Sequence, residues 1–141
     1  MIMTNFEVAT KFFHACESLQ GAKGCQMYVL DGAKFKAQCE PLTEITTIID
    51  YANWMESLGK GPLLGCSYVL NSSSYDETTK TALFFGTFTG KHVAEGGPVP
   101  PTMKETNSEY VYALKLNDVG KITEMTKIWN APWALAEMGW V

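Results

Sequence analysis

An α+β fold, with helices gathered on one side of a curved and mostly antiparallel sheet, is what the order of patterns along this chain predicts. Two stretches, residues 4–19 and 46–59, carry apolar side chains at helical spacing. From residue 63 onward the texture changes to four runs rich in aromatic and β-branched residues, separated by turn signals. No repeat, linker or low-complexity tract interrupts the 141 residues, so the chain reads as a single domain over 1–141.

The first helix opens at TNFE, where Thr4 and Glu7 have the spacing of a capping box. Val8, Ala9, Phe12, Phe13, Cys16 and Leu19 then fall on one face, with His14 on the solvated side beside Lys11 and Ser18. Gly21 and Gly24 punctuate this helix, GCQMYVLD suggests a short helical turn, and AKFKAQCEP reads as a strand ended by Pro41. TTIIDYANWMESLGKGP predicts a helix capped by Thr46 or Thr47 and stopped at Gly59, burying Ile48, Tyr51, Ala52, Met55 and Leu58. The strands follow as LLGCSYVLNSS, TKTALFFGTFTGKH, NSEYVYALKL and KITEMTKIWN, with a C-terminal tail after Asn130. Gly120 in the left-handed conformation suits the tight turn 117–120. Setting Leu116 opposite Ile122 without interruption would place Glu109, Lys127 and Trp129 on one face. Tyr110, Tyr112, Leu114 and Leu116 would lie on the other.

Composition narrows the function classes. The net charge is −4, and all eleven basic residues are lysine. An acidic chain without arginine lacks the forked contacts that nucleic-acid binders favour, so neither nucleic acid nor an anionic membrane is expected as a partner. MIMTNFEVATKFFH has neither a basic start nor a continuous apolar block, and a cytoplasmic location is expected. Cys16, Cys25, Cys39 and Cys66 fit no metal spacing and read as reduced, buried small hydrophobes, with a disulfide pair as the alternative. The sequence has no GxSxG, P-loop or GxGxxG motif, and neither a cofactor nor a metal is expected.

Three segments carry a resemblance. YVLDGAKF resembles the aromatic, Asp and short strand that follow the first helices in the nuclear transport factor 2-like (NTF2-like) superfamily. FTGKHVAEGGPVPPTMK resembles the strand and loop of its SnoaL-like, polyketide cyclase-like branch. GKITEMTKIWN with ALAEMGW resembles that branch's last strand and terminal segment. The resemblance implies a cone-shaped fold whose curved sheet wraps around N-terminal helices, leaves a pocket between them and often pairs with a second copy through the sheet face. Two positions depart from the pattern. Asn130 stands where the cyclases carry an acidic residue, and Met103 where their loop carries glycine.

The candidate chemistry follows from these elements. His92, before a loop stiffened by Pro98, Pro100 and Pro101, is either a proton carrier at a pocket mouth or an imidazole bonded to loop backbone. Glu109 and Lys127 make either a charged pair inside the pocket or an exposed cross-strand pair. Tyr28, Tyr51, Trp54, Tyr110 and Trp129, with Asn130 at the strand end, are the expected lining of an apolar ligand pocket. The expected function is cofactor-independent acid/base chemistry, as an isomerase, cyclase or hydrolase, on a small apolar oxygenated molecule. The alternative is a non-catalytic ligand-binding or dimerisation domain that pairs as a homodimer through the strip Tyr110, Tyr112, Leu114 and Leu116.

Overall fold

The computed structural model describes residues 2–141. Helix α1 (Asn5–Glu17) starts with the reciprocal cap its sequence announces: Thr4 Oγ1 accepts from Glu7 N at 3.1 Å and Glu7 Oε1 from Thr4 N at 2.9 Å. A short helix α2 (Gly21–Cys25) and a 3₁₀ turn (Gln26–Tyr28) lead into strand β1 (Val29–Ala37). Helix α3 (Ile48–Lys60) is capped by Thr47, whose Oγ1 accepts from Asp50 N at 3.2 Å. Then come β2 (Ser67–Asp76), β3 (Thr81–Lys91), β4 (Glu105–Leu116) and β5 (Ile122–Trp129). The tail is not irregular: it forms helix α4 (Ala131–Glu137).

The five strands make one open sheet in the order β1-β5-β4-β3-β2, antiparallel throughout except that β1 runs parallel to β5. Helices α1 and α3 pack across its concave face. Phe13 of α1 stacks on Phe84 at 5.1 Å between ring centroids and meets Tyr112 edge-on at 5.1 Å. Tyr51 of α3 stacks on Phe35 of β1 at 4.5 Å. Each such fully buried ring is worth about 1.5–3 kcal/mol over leaving it in water. No helix among the described residues is long and apolar enough to cross a membrane.

Two expectations are corrected here. Helix α3 runs through Gly59 to Lys60, because Gly59 is a packing position: a Cβ there would lie 2.5 Å from Leu19 Cδ1. More consequentially, β5 carries a bulge. Leu116 does face Ile122, but Lys115 then pairs with Glu124, so Thr123 is an extra residue. Every later partner moves by one: Leu114 faces Met125, Tyr112 faces Lys127 and Tyr110 faces Trp129. One inserted residue turns Lys127 and Trp129 to the concave face and leaves Glu109 on the convex one. The strip Tyr110, Tyr112, Leu114 and Leu116 is consequently core, at most 3% exposed, and does not form an exposed dimer surface.

Candidate functional site

Glu17 is the last residue of α1 and only 5% exposed, an unusual place for a carboxylate. Its carboxylate is held by two phenols from β4: Tyr112 Oη donates to Oε2 at 2.5 Å, and Tyr110 Oη donates to Oε1. Gly86 makes the second bond possible. It pairs with Tyr110 across β3 and β4, and a Cβ at Gly86 would lie 2.7 Å from the phenol oxygen. The ring therefore lies across a strand that offers no side chain there.

Lys127 enters the same space from β5. It is 7% exposed, and its Nζ donates to Tyr51 Oη at 2.8 Å. Among the described residues it has no carboxylate within ion-pair distance. Four rings surround the amine instead, with centroids at 4.6 Å for Trp129, 5.0 Å for Tyr51, 5.5 Å for Tyr110 and 5.8 Å for Trp54. Tyr51 Oη lies 3.0 Å from Tyr112 Oη. An unbroken hydrogen-bonded chain thus runs from the Lys127 amine through Tyr51 and Tyr112 to the Glu17 carboxyl.

The electrostatics follow from burial. Loss of water raises the Glu17 pKa above its ordinary value, although the Lys127 charge and both phenols pull it back. Loss of water lowers the Lys127 pKa, against the pull of Glu17. Desolvation, followed by the charge of Glu17, raises Tyr110, and desolvation raises Tyr51 and Tyr112, so all three phenols remain protonated donors.

These groups surround a small void of about 20 Å³, lined by Glu17, Met55, Tyr110 and Lys127 within and by Trp54, Leu58, Phe88 and Trp129 at the rim. The rim residues are part-exposed, whereas the inner four are buried. The open centre admits about one water molecule, so a larger guest requires rim side chains to turn aside. A second, apolar chamber of about 20 Å³ adjoins it behind Trp54, Leu58, Phe88 and Trp129, and α4 with Trp140 closes its far side.

Of the residues expected at a site, Lys127, Trp54, Tyr110 and Trp129 line the void and Tyr51 stands directly behind Lys127. The others lie elsewhere. Glu109 points to solvent on the convex face. Tyr28 is half-buried beside a surface recess with Met27 and Lys121. Asn130 is exposed and caps α4, its Oδ1 accepting from Trp133 N at 3.3 Å. His92 is fully buried but lines neither chamber. Its Nδ1 accepts from the Trp140 indole at 2.9 Å and from Thr102 N at 3.3 Å, which leaves the ring proton on Nε2 against Gly97. The proline loop is thus a clasp for the C-terminus, and His92 is its buckle.

Sequence reasoning missed Glu17 and Tyr112. The signal for Glu17 was present: Ala9, Phe13 and Glu17 stand at i, i+4 and i+8, a row that the two apolar members place on the core face. Tyr112 was assigned to the opposite face by the missing bulge.

No known family model matches the sequence, and no curated protein matches it. Solved structures do. A candidate SnoaL-like polyketide cyclase from Jannaschia sp. CCS1 superposes with a TM-score of 0.74 at 15% identity, over 95% of this chain and 90% of that one. IdmH, a candidate polyketide cyclase from Streptomyces antibioticus, gives 0.74 at 13% identity over 97% and 99%. An NTF2-like protein from Burkholderia thailandensis E264 gives 0.74 at 14% identity over 98% of each chain. The sheet order, the helices laid across its concave face and these superpositions agree: this chain has the α+β cone fold that these structures share.

Proposed function

We propose that this protein is a cofactor-independent acid/base catalyst for a small, largely apolar carbonyl compound bound in the cone. The observation that carries this reading is the convergence of Glu17, Tyr110 and Lys127 on one void whose remaining walls are apolar. Glu17, with its raised pKa, is suited to take a proton from a carbon next to a carbonyl and return it at another position. Lys127, whose ammonium keeps N–H donors beyond the one given to Tyr51, can donate to the oxygen as negative charge develops there, in a space where little water competes. Trp54, Phe88 and Trp129 offer flat apolar walls to the rest of the substrate. We assign the proton-transfer part to Glu17 and not to His92 or Glu109, since neither faces the void.

The test is exchange of α-protons in small cyclic and aliphatic ketones, followed by NMR in deuterated buffer. The wild-type chain is expected to accelerate exchange, and Glu17→Gln to lose about 100-fold or more of that acceleration. Equal rates for the two would remove Glu17 as the base.

The convex face favours a homodimer. Phe85, Val111 and Ile128 are cross-strand neighbours on β3, β4 and β5, and Phe85 and Ile128 are 38% and 62% exposed. Leu83 and Val69 extend this apolar patch on the sheet's outer side. Pairing through it would leave both cavities free. The four unbridged cysteines suit a reducing compartment such as the cytoplasm.

A further inference from the structure

Lys127 has a feature that acid/base chemistry does not require. A lysine used only as a positive charge is served by a carboxylate at contact distance or by water, and Lys127 has neither carboxylate contact nor more than 7% exposure. Among the described residues its single hydrogen bond is to Tyr51 Oη, and that phenol opens the chain through Tyr112 to Glu17. The other three sides of the amine are aromatic faces. If a proton steps from Lys127 to Tyr51, from Tyr51 to Tyr112 and from Tyr112 to Glu17, the result is a free amine and a neutral carboxyl. Both phenols are restored and no net charge has moved into or out of the core. Burial favours this uncharged arrangement at both ends, lowering the lysine pKa while it raises that of the glutamate.

We propose that Lys127 is a nucleophilic amine which forms an imine with small aldehydes or ketones admitted to the cone. The proposal rests on the acid/base reading above and names the carbonyl carbon as the second point of attack. In the first step the amine lone pair forms a bond to the carbonyl carbon, and the π electrons pass to oxygen. Oxygen takes one proton and nitrogen gives one up, leaving a neutral carbinolamine. In the second step the hydroxyl takes the proton held at Glu17 and leaves as water, and the nitrogen lone pair closes the C=N bond. The products are an iminium at Lys127, a Glu17 carboxylate and one water molecule. The carboxylate then stands ready to remove an α-proton, now acidified by the iminium, and hydrolysis reverses the bond-making steps. Tyr51 acts here as a positioning and relay residue and does not touch the carbonyl compound.

The experiment uses the whole chain, with butanal and cyclohexanone as probes and cyanoborohydride to reduce any iminium to a stable secondary amine. Peptide mass spectrometry locates the added mass, that of the probe less one oxygen. The chain has ten lysines besides Lys127, which serve as internal competitors for the label. Lys127 is expected to be labelled at least about tenfold faster than any of them, since burial lowers its pKa and so enlarges its free-amine fraction. Labelling confined to the other lysines overturns the proposal.

The pH profile adds a readout that simple accessibility would not move. The groups that face the amine are Glu17 and Cys16 from α1, Tyr51 from α3, Tyr110 and Tyr112 from β4, and Cys39 from the loop after β1. Tyr51→Phe keeps the ring and severs the relay. It is expected to slow labelling about tenfold by breaking the relay and to shift the profile toward lower pH, because the ammonium loses its hydrogen-bond acceptor. An unchanged rate and profile in this variant, if it gives the wild-type circular dichroism spectrum, overturns the relay. Ketone exchange measured in parallel separates the two readings. Exchange without an adduct at Lys127 sinks the amine step and spares Glu17 as base. An adduct without exchange supports the amine step alone.

Discussion

Glu17 and Lys127 are costly residues to place inside a cone, and the cost has a pH signature that can be worked out in advance. The Glu17 pKa is raised on folding, so the folded chain holds its proton more tightly than the unfolded chain does. Its contribution to stability is complete below the ordinary carboxylate value of 4.5 and is lost as pH rises through the raised one. Lys127 runs the other way: with a lowered pKa, its contribution is lost as pH falls through the folded value. Glu17→Gln removes the first dependence and leaves Lys127 without an attracting carboxylate. Both changes make the variant gain on the wild type as pH rises. Thermal denaturation between about pH 5 and 9 should show the melting-temperature difference growing in favour of Glu17→Gln. A difference independent of pH would mean that Glu17 titrates as though exposed. Met103 shows strain of another kind at this scale, since it holds a left-handed backbone with φ at +60°, a region open to glycine and costly for a side chain.

At the scale of elements, the clasp between the 92–104 loop and α4 explains what the prolines and His92 do. Thr102 Oγ1 donates to Met138 O at 2.6 Å, Trp140 Nε1 donates to His92 Nδ1 at 2.9 Å, and Glu137 accepts from Thr106 Oγ1 at 2.7 Å. Together they hold a seven-residue helix over the second chamber. A helix that short is not stable alone, so it depends on these ties. Trp140→Phe keeps the ring and deletes the indole N–H. Amide exchange of α4 is expected to speed up about fivefold, the equivalent of one lost hydrogen bond near 1 kcal/mol, with β4 and β5 unchanged. No change in α4 would show that apolar packing alone retains it.

At the scale of the whole molecule, the two faces of the sheet differ in what they carry. The concave face holds the charged and phenolic groups, and the convex face carries the patch around Phe85, Val111 and Ile128. If that patch joins two copies, sedimentation should report a dimer for the wild type. Phe85→Lys should shift it toward monomer without altering ketone exchange, because Phe85 points away from the void. A monomeric wild type at high micromolar concentration would end the dimer reading.

Local chemistry made much of this fold legible before any coordinates. The capping box at Thr4 and Glu7, the cap at Thr47, the left-handed Gly120 and the four aromatic strands are statements about neighbours in sequence, and they stand where the residues placed them. The site was legible in its aromatic walls and in Lys127, which also reaches the void, but not in its carboxylate. Trp54, Tyr110 and Trp129 reach the void, but Glu109, Asn130, Tyr28 and His92 do not. One bulge at Thr123 decided which side of the sheet Lys127 would face, and pleating transmits such a shift to every later residue of the strand. The approach of α1 to β4 decided that Glu17 would meet two phenols whose positions lie over ninety residues away along the chain. Periodicity along one segment determines which of its side chains turn inward; only the packing of distant segments determines what they find there, because that depends on register and crossing geometry, which no single segment encodes.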